Sequence, residues 1–144
     1  DLDDSYNFLE LSLFIERLQA GYDMVMGNRF AGGITKGAMP WLHRYVGNPF
    51  LSSLGRFLFK NNIGDFHCGL RAFTKKCYNI INPQCNGMEF ASELVALASI
   101  HQMRICEIPV TLYPDGRKRR PHLRSWRDGF RHMVLLYSLY LLRN

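Results

Sequence analysis

At 144 residues, with 47% apolar and 21% charged side chains, the chain is the size of one folded domain and too apolar for a disordered segment. The net charge of +6 is unevenly spread: residues 1–28 set Asp1, Asp3, Asp4, Glu10, Glu16 and Asp23 against Arg17, whereas residues 117–131 are strongly basic, which favours anionic partners. The four cysteines, Cys68, Cys77, Cys85 and Cys106, show no CxxC spacing, which argues against a zinc knuckle and for reduced, mostly buried thiols.

The chain opens on an aspartate with further acids directly behind it, and its N-terminus reads as a cut through a longer chain. Residues 8–20 carry Leu9, Leu13, Ile15 and Leu18 with charges between them, the spacing of an amphipathic helix. Asn7 or Ser5 is its cap and Gly21 its stop. Residues 22–26 read as a short buried strand and the glycine-rich stretch 27–37 as a loop. A helical pattern spans 42–60, with Tyr45, Leu51, Leu54, Leu58 and Phe59 on its face and Pro49 at a kink or start. There follow a turn at 61–64, a strand at 68–73, a short helix at 75–81 and a loop at 83–87. Residues 88–101 are helical, with Phe90, Leu94, Leu97 and Ala98 on one side. Residues 104–112 alternate as a strand does, 115–122 form a charged loop, and 125–142 end the chain as a helix. Alternating helices and strands imply an α/β layered fold. The division expected is 1–123 as the body of a domain and 124–144 as an amphipathic C-terminal helix.

Several residues carry chemistry. Asp1 and Asp3 share one side of an extended segment, and two hard oxygen ligands suit Mg²⁺ or Mn²⁺; by themselves they also fit a solvated acidic turn. Arg29 presents a rigid fork of donors suited to phosphate, or else a surface ion pair. The segment 64–71 is the densest polar cluster between apolar runs. In it Asp65 is placed to orient an acceptor or a basic side chain, Arg71 to hold phosphate, and His67 to contact substrate or serve as a hydrogen-bonded structural residue. Glu89 and Glu93 lie four apart and share a helix face, where they position an acceptor or stand solvated. The run 117–124 contains Arg117, Lys118, Arg119, Arg120 and Arg124. Nucleic acid is disfavoured as its partner because no aromatic residues are interleaved as a stacking platform. Trp126, Phe130, Met133 and Tyr137 form one helix stripe beside Arg124, Arg127 and Arg131, a pattern suited to a membrane interface or to packing on the domain. The apolar run 133–142 is shorter than the roughly 20 residues of a span.

In their order along the chain, these segments resemble the family 2 glycosyltransferases, above all the dolichyl-phosphate mannose synthase-like branch. The matching pieces are Asp1-Leu2-Asp3-Asp4-Ser5, the stretch from Asp23 through Gly27-Asn28-Arg29-Phe30, and Gly32-Gly33. They continue with Gly64-Asp65-Phe66-His67-Cys68-Gly69-Leu70-Arg71, Met88-Glu89-Phe90-Ala91-Ser92-Glu93, and Ile108-Pro109 through Asp115-Gly116-Arg117. The resemblance implies the C-terminal half of a GT-A nucleotide-diphospho-sugar transferase-like fold. It implies transfer of a hexose from a nucleotide-sugar donor to an acceptor, either a polyprenyl phosphate or a saccharide hydroxyl. Asp1 and Asp3 would then hold the metal; Asp65, Arg71 and Glu89 would be catalytic; Arg29, Arg117, Glu93 and His67 would contact substrate. Where that family often carries Gln, this chain has Ser5, whose shorter hydroxyl weakens a ligand role. The implied location is the cytoplasmic face of a membrane. The competing reading from composition is a non-catalytic basic module that binds membrane surface or nucleic acid.

Overall fold

The computed structural model describes residues 5–87, 89–114 and 125–143. Asp1, Asp3, Arg117 and the basic run around Arg117 lie outside them. A 3-10 turn at Phe8–Glu10 leads into α1, Leu11–Gln19. The Asn7 side chain accepts from the Leu9 N–H and starts the turn, and Gly21 follows the helix at a positive φ. Strand β1 is Met24–Asn28, followed by the helical turn α2, Arg29–Gly32. The strand thus runs two residues beyond the expected 22–26, and the expected 27–37 loop begins as strand and helix. The reason is pairing: β1 is parallel to β3, Ile105–Pro109, with register continuing to Asn28 opposite Pro109.

A π-helical turn at His43–Gly47 precedes α3, Asn48–Phe59. Pro49 has no N–H to return to the preceding turn, so the helix widens there and the Asn48 N–H reaches back to His43 O. Tyr45, expected on the buried face, is exposed as a result. Strand β2 is Arg71–Phe73, shorter than the expected 68–73, and α4 is Lys75–Ile81, capped by the Thr74 hydroxyl on Cys77 N–H. Helix α5 is Phe90–Ile100 and α6 is Ser125–Arg143.

The strand order is β2-β1-β3, with β2 antiparallel and β3 parallel to β1. The central strand is buried on both faces, which its apolar run requires. Met24 and Met26 face a core with Phe66, Cys77, Ile81, Leu94 and Val95 from the α3–β2 connection, α4 and α5. Val25 faces the opposite way, onto Phe14 of α1 with Cys68, Ile108 and Val110. A third cluster, Phe59, Ala96 and Leu136, seats α6 against α3 and α5. The result is a mixed α/β layered arrangement, as the alternating pattern implied. Loops gather at the carboxyl end of the parallel pair β1 and β3, the position where α/β sheets bind ligands.

Candidate functional site

The site is built where β1 ends. Asn28 caps α2 through its side-chain oxygen, which accepts from the Ala31 N–H at 2.9 Å. Arg29 therefore begins a helical turn instead of a free loop. Its main-chain N–H donates to Asp65 Oδ2 at 3.1 Å, its Nε to the same oxygen at 2.7 Å, and its Nη2 to Oδ1 at 2.8 Å. Both side chains are buried, Asp65 completely. Burial opposes the charge on Arg29, but the bonds to Asp65 outweigh it and raise the guanidinium pKa above its ordinary value. Asp65 Oδ1 also accepts from the His67 main-chain N–H at 3.2 Å. Four donors on two oxygens leave the carboxylate fully engaged. Of the two roles read from sequence, Asp65 here performs the holding of a basic side chain.

The turn that carries Asp65 is clamped by Glu107 of β3, whose carboxylate accepts from Gly64 N–H at 2.9 Å and Asp65 N–H at 3.0 Å. On the other side stands Arg71, opposite Met26 in the antiparallel register. Its Nε and Nη2 donate to Cys68 O, the former at 3.1 Å, and its Nη1 to Ala91 O at 3.0 Å. Burial lowers its pKa. Those bonds fold 68–71 tightly, which is why the strand starts only at Arg71. The Tyr6 hydroxyl accepts from Gly69 N–H at 3.3 Å and lies 3.7 Å from Cys68 Sγ. Burial pushes both the Tyr6 phenol and the Cys68 thiol upward in pKa.

His67 Nε2 lies 3.0 Å from Ser92 Oγ of α5. Burial, and next the neighbouring His132, lower its pKa to about 3, so the ring is neutral. In the unfolded chain it regains an ordinary value of about 6.5. The unfolded state therefore binds the proton more readily. The stability linked to neutral His67 is complete above about pH 6.5 and is lost as pH falls toward the folded value, at about 1.4 kcal/mol per pH unit. Urea denaturation from about pH 7 down to pH 4 should show this slope, and His67→Gln should remove that share of it.

Glu89 and Glu93 sit at the head of α5, both buried. Glu93 accepts from Gln84 N–H at 3.0 Å and Cys85 N–H at 2.8 Å, which fastens the loop 83–87. Glu89 pairs with Arg131 of α6. A groove lined by Gly87, Glu89, Phe130, Arg131 and Val134 runs between that loop and α6. The structure thus brings Arg29, Asp65, His67 and Arg71 together, sets Glu89 and Glu93 to other partners, and leaves Asp1, Asp3 and Arg117 outside the described residues. Tyr6, Asn28, Ser92, Glu107 and His132 join the site without having been singled out. Glu107 carried a legible signal, an acid inside an otherwise apolar strand, and Asn28 and Ser92 lay within the segments that carry the resemblance; Tyr6 and His132 carried none.

Among the described residues no three His, Cys, Asp or Glu side chains cluster as a metal site would, and no helix is long and apolar enough to cross a membrane. No family model matches the chain. It is 37% identical over 134 residues to the low-salt glycan biosynthesis hexosyltransferase Agl6 of Haloferax volcanii, a match covering 92% of this chain and 32% of the relative. It is 33% identical over 112 residues to a dolichyl-phosphate hexose transferase of the same organism, covering 76% of this chain and 46% of that protein. A polyprenol monophosphomannose synthase of Mycolicibacterium smegmatis is 29% identical over 114 residues, covering 77% and 43%. The chain therefore spans from 32% to 46% of the length of these curated relatives.

Proposed function

The chain is a relative of the family 2 glycosyltransferases, in their polyprenyl-phosphate branch, and matches a part of their length; from that premise we propose that the whole protein moves a hexose from a nucleotide-diphosphate sugar to a polyprenyl-type phosphate. The observation that carries the reading is the bonding of Arg71 in the site. Arg29 is buried on Asp65, whereas Arg71 stands half-buried at the far end of the same 64–71 segment. Among the described residues the hydrogen bonds of Arg71 go to main-chain carbonyls and to no carboxylate. A half-buried cation without a carboxylate of its own is left undercompensated, and an incoming phosphate or diphosphate offsets that cost.

The engaged carboxylates favour a phosphate over a saccharide hydroxyl as acceptor. A hydroxyl needs a general base, whereas a phosphate is already anionic near neutrality. Asp65 is filled by Arg29 and by main-chain donors, and Glu89 by Arg131. Leaving of the diphosphate builds negative charge that Arg71, with Arg29 held on Asp65 of the same polar segment, would stabilise. A divalent cation, Mg²⁺ or Mn²⁺, held by Asp1 and Asp3, would neutralise more of it. The groove between the loop 83–87 and α6 joins apolar Phe130 and Val134 to Arg131, a surface that suits a lipid phosphate at the cytoplasmic face of a membrane.

The test uses the whole protein with polyprenyl phosphate carried in vesicles. Transfer of radiolabelled hexose from a nucleotide sugar should appear with Mg²⁺ or Mn²⁺, disappear on chelation, and be lost in Asp3→Ala. Absence of transfer with every common nucleotide sugar would sink the reading. Transfer to a free saccharide in preference to the lipid would reassign the acceptor.

A further inference from the structure

One polar chain crosses the core beside the Arg29–Asp65 pair. Ser92 Oγ, completely buried on α5, lies 3.0 Å from His67 Nε2 and 2.8 Å from His132 Nδ1. The two rings meet edge to face with centroids 4.9 Å apart. His132 is buried on α6. His67 stands two residues past Asp65 and donates its main-chain N–H to that carboxylate. A hydroxyl has one proton, so Ser92 donates to one imidazole and accepts from the other, and the tautomers of both rings are set together.

Packing alone does not call for this chain. Leu136, one turn further along α6, is completely buried against Phe59 and Ala96, and an apolar residue at 132 would extend that seam. Burying two imidazoles and a hydroxyl instead is unfavourable except as a hydrogen-bonded unit. At one end of the unit is the turn that holds Arg29. At the other is a helix whose outer side exposes Phe130, Val134 and Tyr137. Anything that shifts α6 is therefore one hydrogen-bonded chain away from Asp65.

We propose that Ser92 and His132 are positioning residues: through His67 they hold the Asp65 turn, and with it the Arg29 fork, in the setting that sugar transfer requires. The inference rests on the transferase reading for its activity readout. Its second readout, amide hydrogen exchange, is independent of that reading.

The experiment compares Ser92→Ala, His132→Leu, His132→Asn and the Ser92→Ala/His132→Leu pair in the whole protein. Ser92→Ala and His132→Leu should each lower kcat about tenfold with the donor KM nearly unchanged, the size of loss that slight misplacement of a reacting group causes. The pair should be no worse than either single variant, because both cut the same chain. His132→Asn places an amide where Nδ1 stood and should recover most of the rate. In Ser92→Ala the amide of His67 should exchange about tenfold faster as its turn loosens, with α3 unaffected. Folded variants with full kcat, losses that multiply in the pair, or an Asn variant no better than Leu would overturn the proposal. If the wild-type protein transfers no sugar, the transferase reading fails by itself. Exchange at His67 then decides the linkage: acceleration in Ser92→Ala upholds it and an unchanged rate overturns it.

Discussion

Replacing Asp65 by alanine is expected to destabilise the protein by about 3–5 kcal/mol, the cost of breaking a buried ion pair from one side. The change strands the buried guanidinium of Arg29. It also leaves two main-chain N–H groups, of Arg29 and His67, without their acceptor. Guanidinium denaturation of the purified protein measures the loss directly. The companion variant Arg29→Met/Asp65→Leu should lose less than Asp65→Ala, because removing both charges removes the stranded one as well. A loss for Asp65→Ala smaller than about 1 kcal/mol would show that the pair behaves as an exposed one.

Gly32→Ala should cost about 3 kcal/mol, at the upper end of what overpacking a filled interior costs. A Cβ at position 32 would run into the main-chain N, C and O of Val110, well inside the 3.0 Å that real Cβ contacts respect. Val110 cannot move aside easily. Its N–H bonds to Asn28 O at 3.1 Å, its side chain is buried, and Leu112 N–H bonds to Gly33 O at 2.9 Å just beyond. The clash would lift α2 off the segment after β3 and carry Arg29 away from Asp65, so stability and transfer should fall together. Gly37→Ala is the control. It has a positive φ of 85° but open space around it, and should cost about 1 kcal/mol from backbone strain alone. Equal midpoints for the two variants would refute the close approach at Val110.

Much of the element order was legible because its signals are local. Residues 75–81 form α4 over the span read from sequence, since Thr74 caps it through a bond only three residues long. The amphipathic spacing of 8–20 and 88–101 gave α1 and α5 with small shifts at their ends. The boundaries that moved were those set by distant partners. Strand β1 extends to Asn28 because Pro109 lies opposite it, and β2 is cut back to Arg71 because Arg71 binds Cys68 O. The turn preceding α3 widens because Pro49 lacks a donor, a local fact whose outcome is the exposure of Tyr45.

The polar cluster 64–71 and Arg29 were legible as candidate site residues, which the structure packs together, and their order with the other segments carried the resemblance to sugar transferases. What the sequence determined by itself was therefore the layered α/β class and most helices. Only the tertiary structure decided which side chain faces which. Arg29 meets Asp65 across 36 positions, His67 reaches His132 through Ser92, and Glu89 and Glu93, neighbours on one helix, turn to different partners. The physical reason is that capping and periodicity are settled within one or two helical turns, whereas a buried charge takes whatever counter-charge or dipole the packed layers bring to it. No pattern within a short window records that choice.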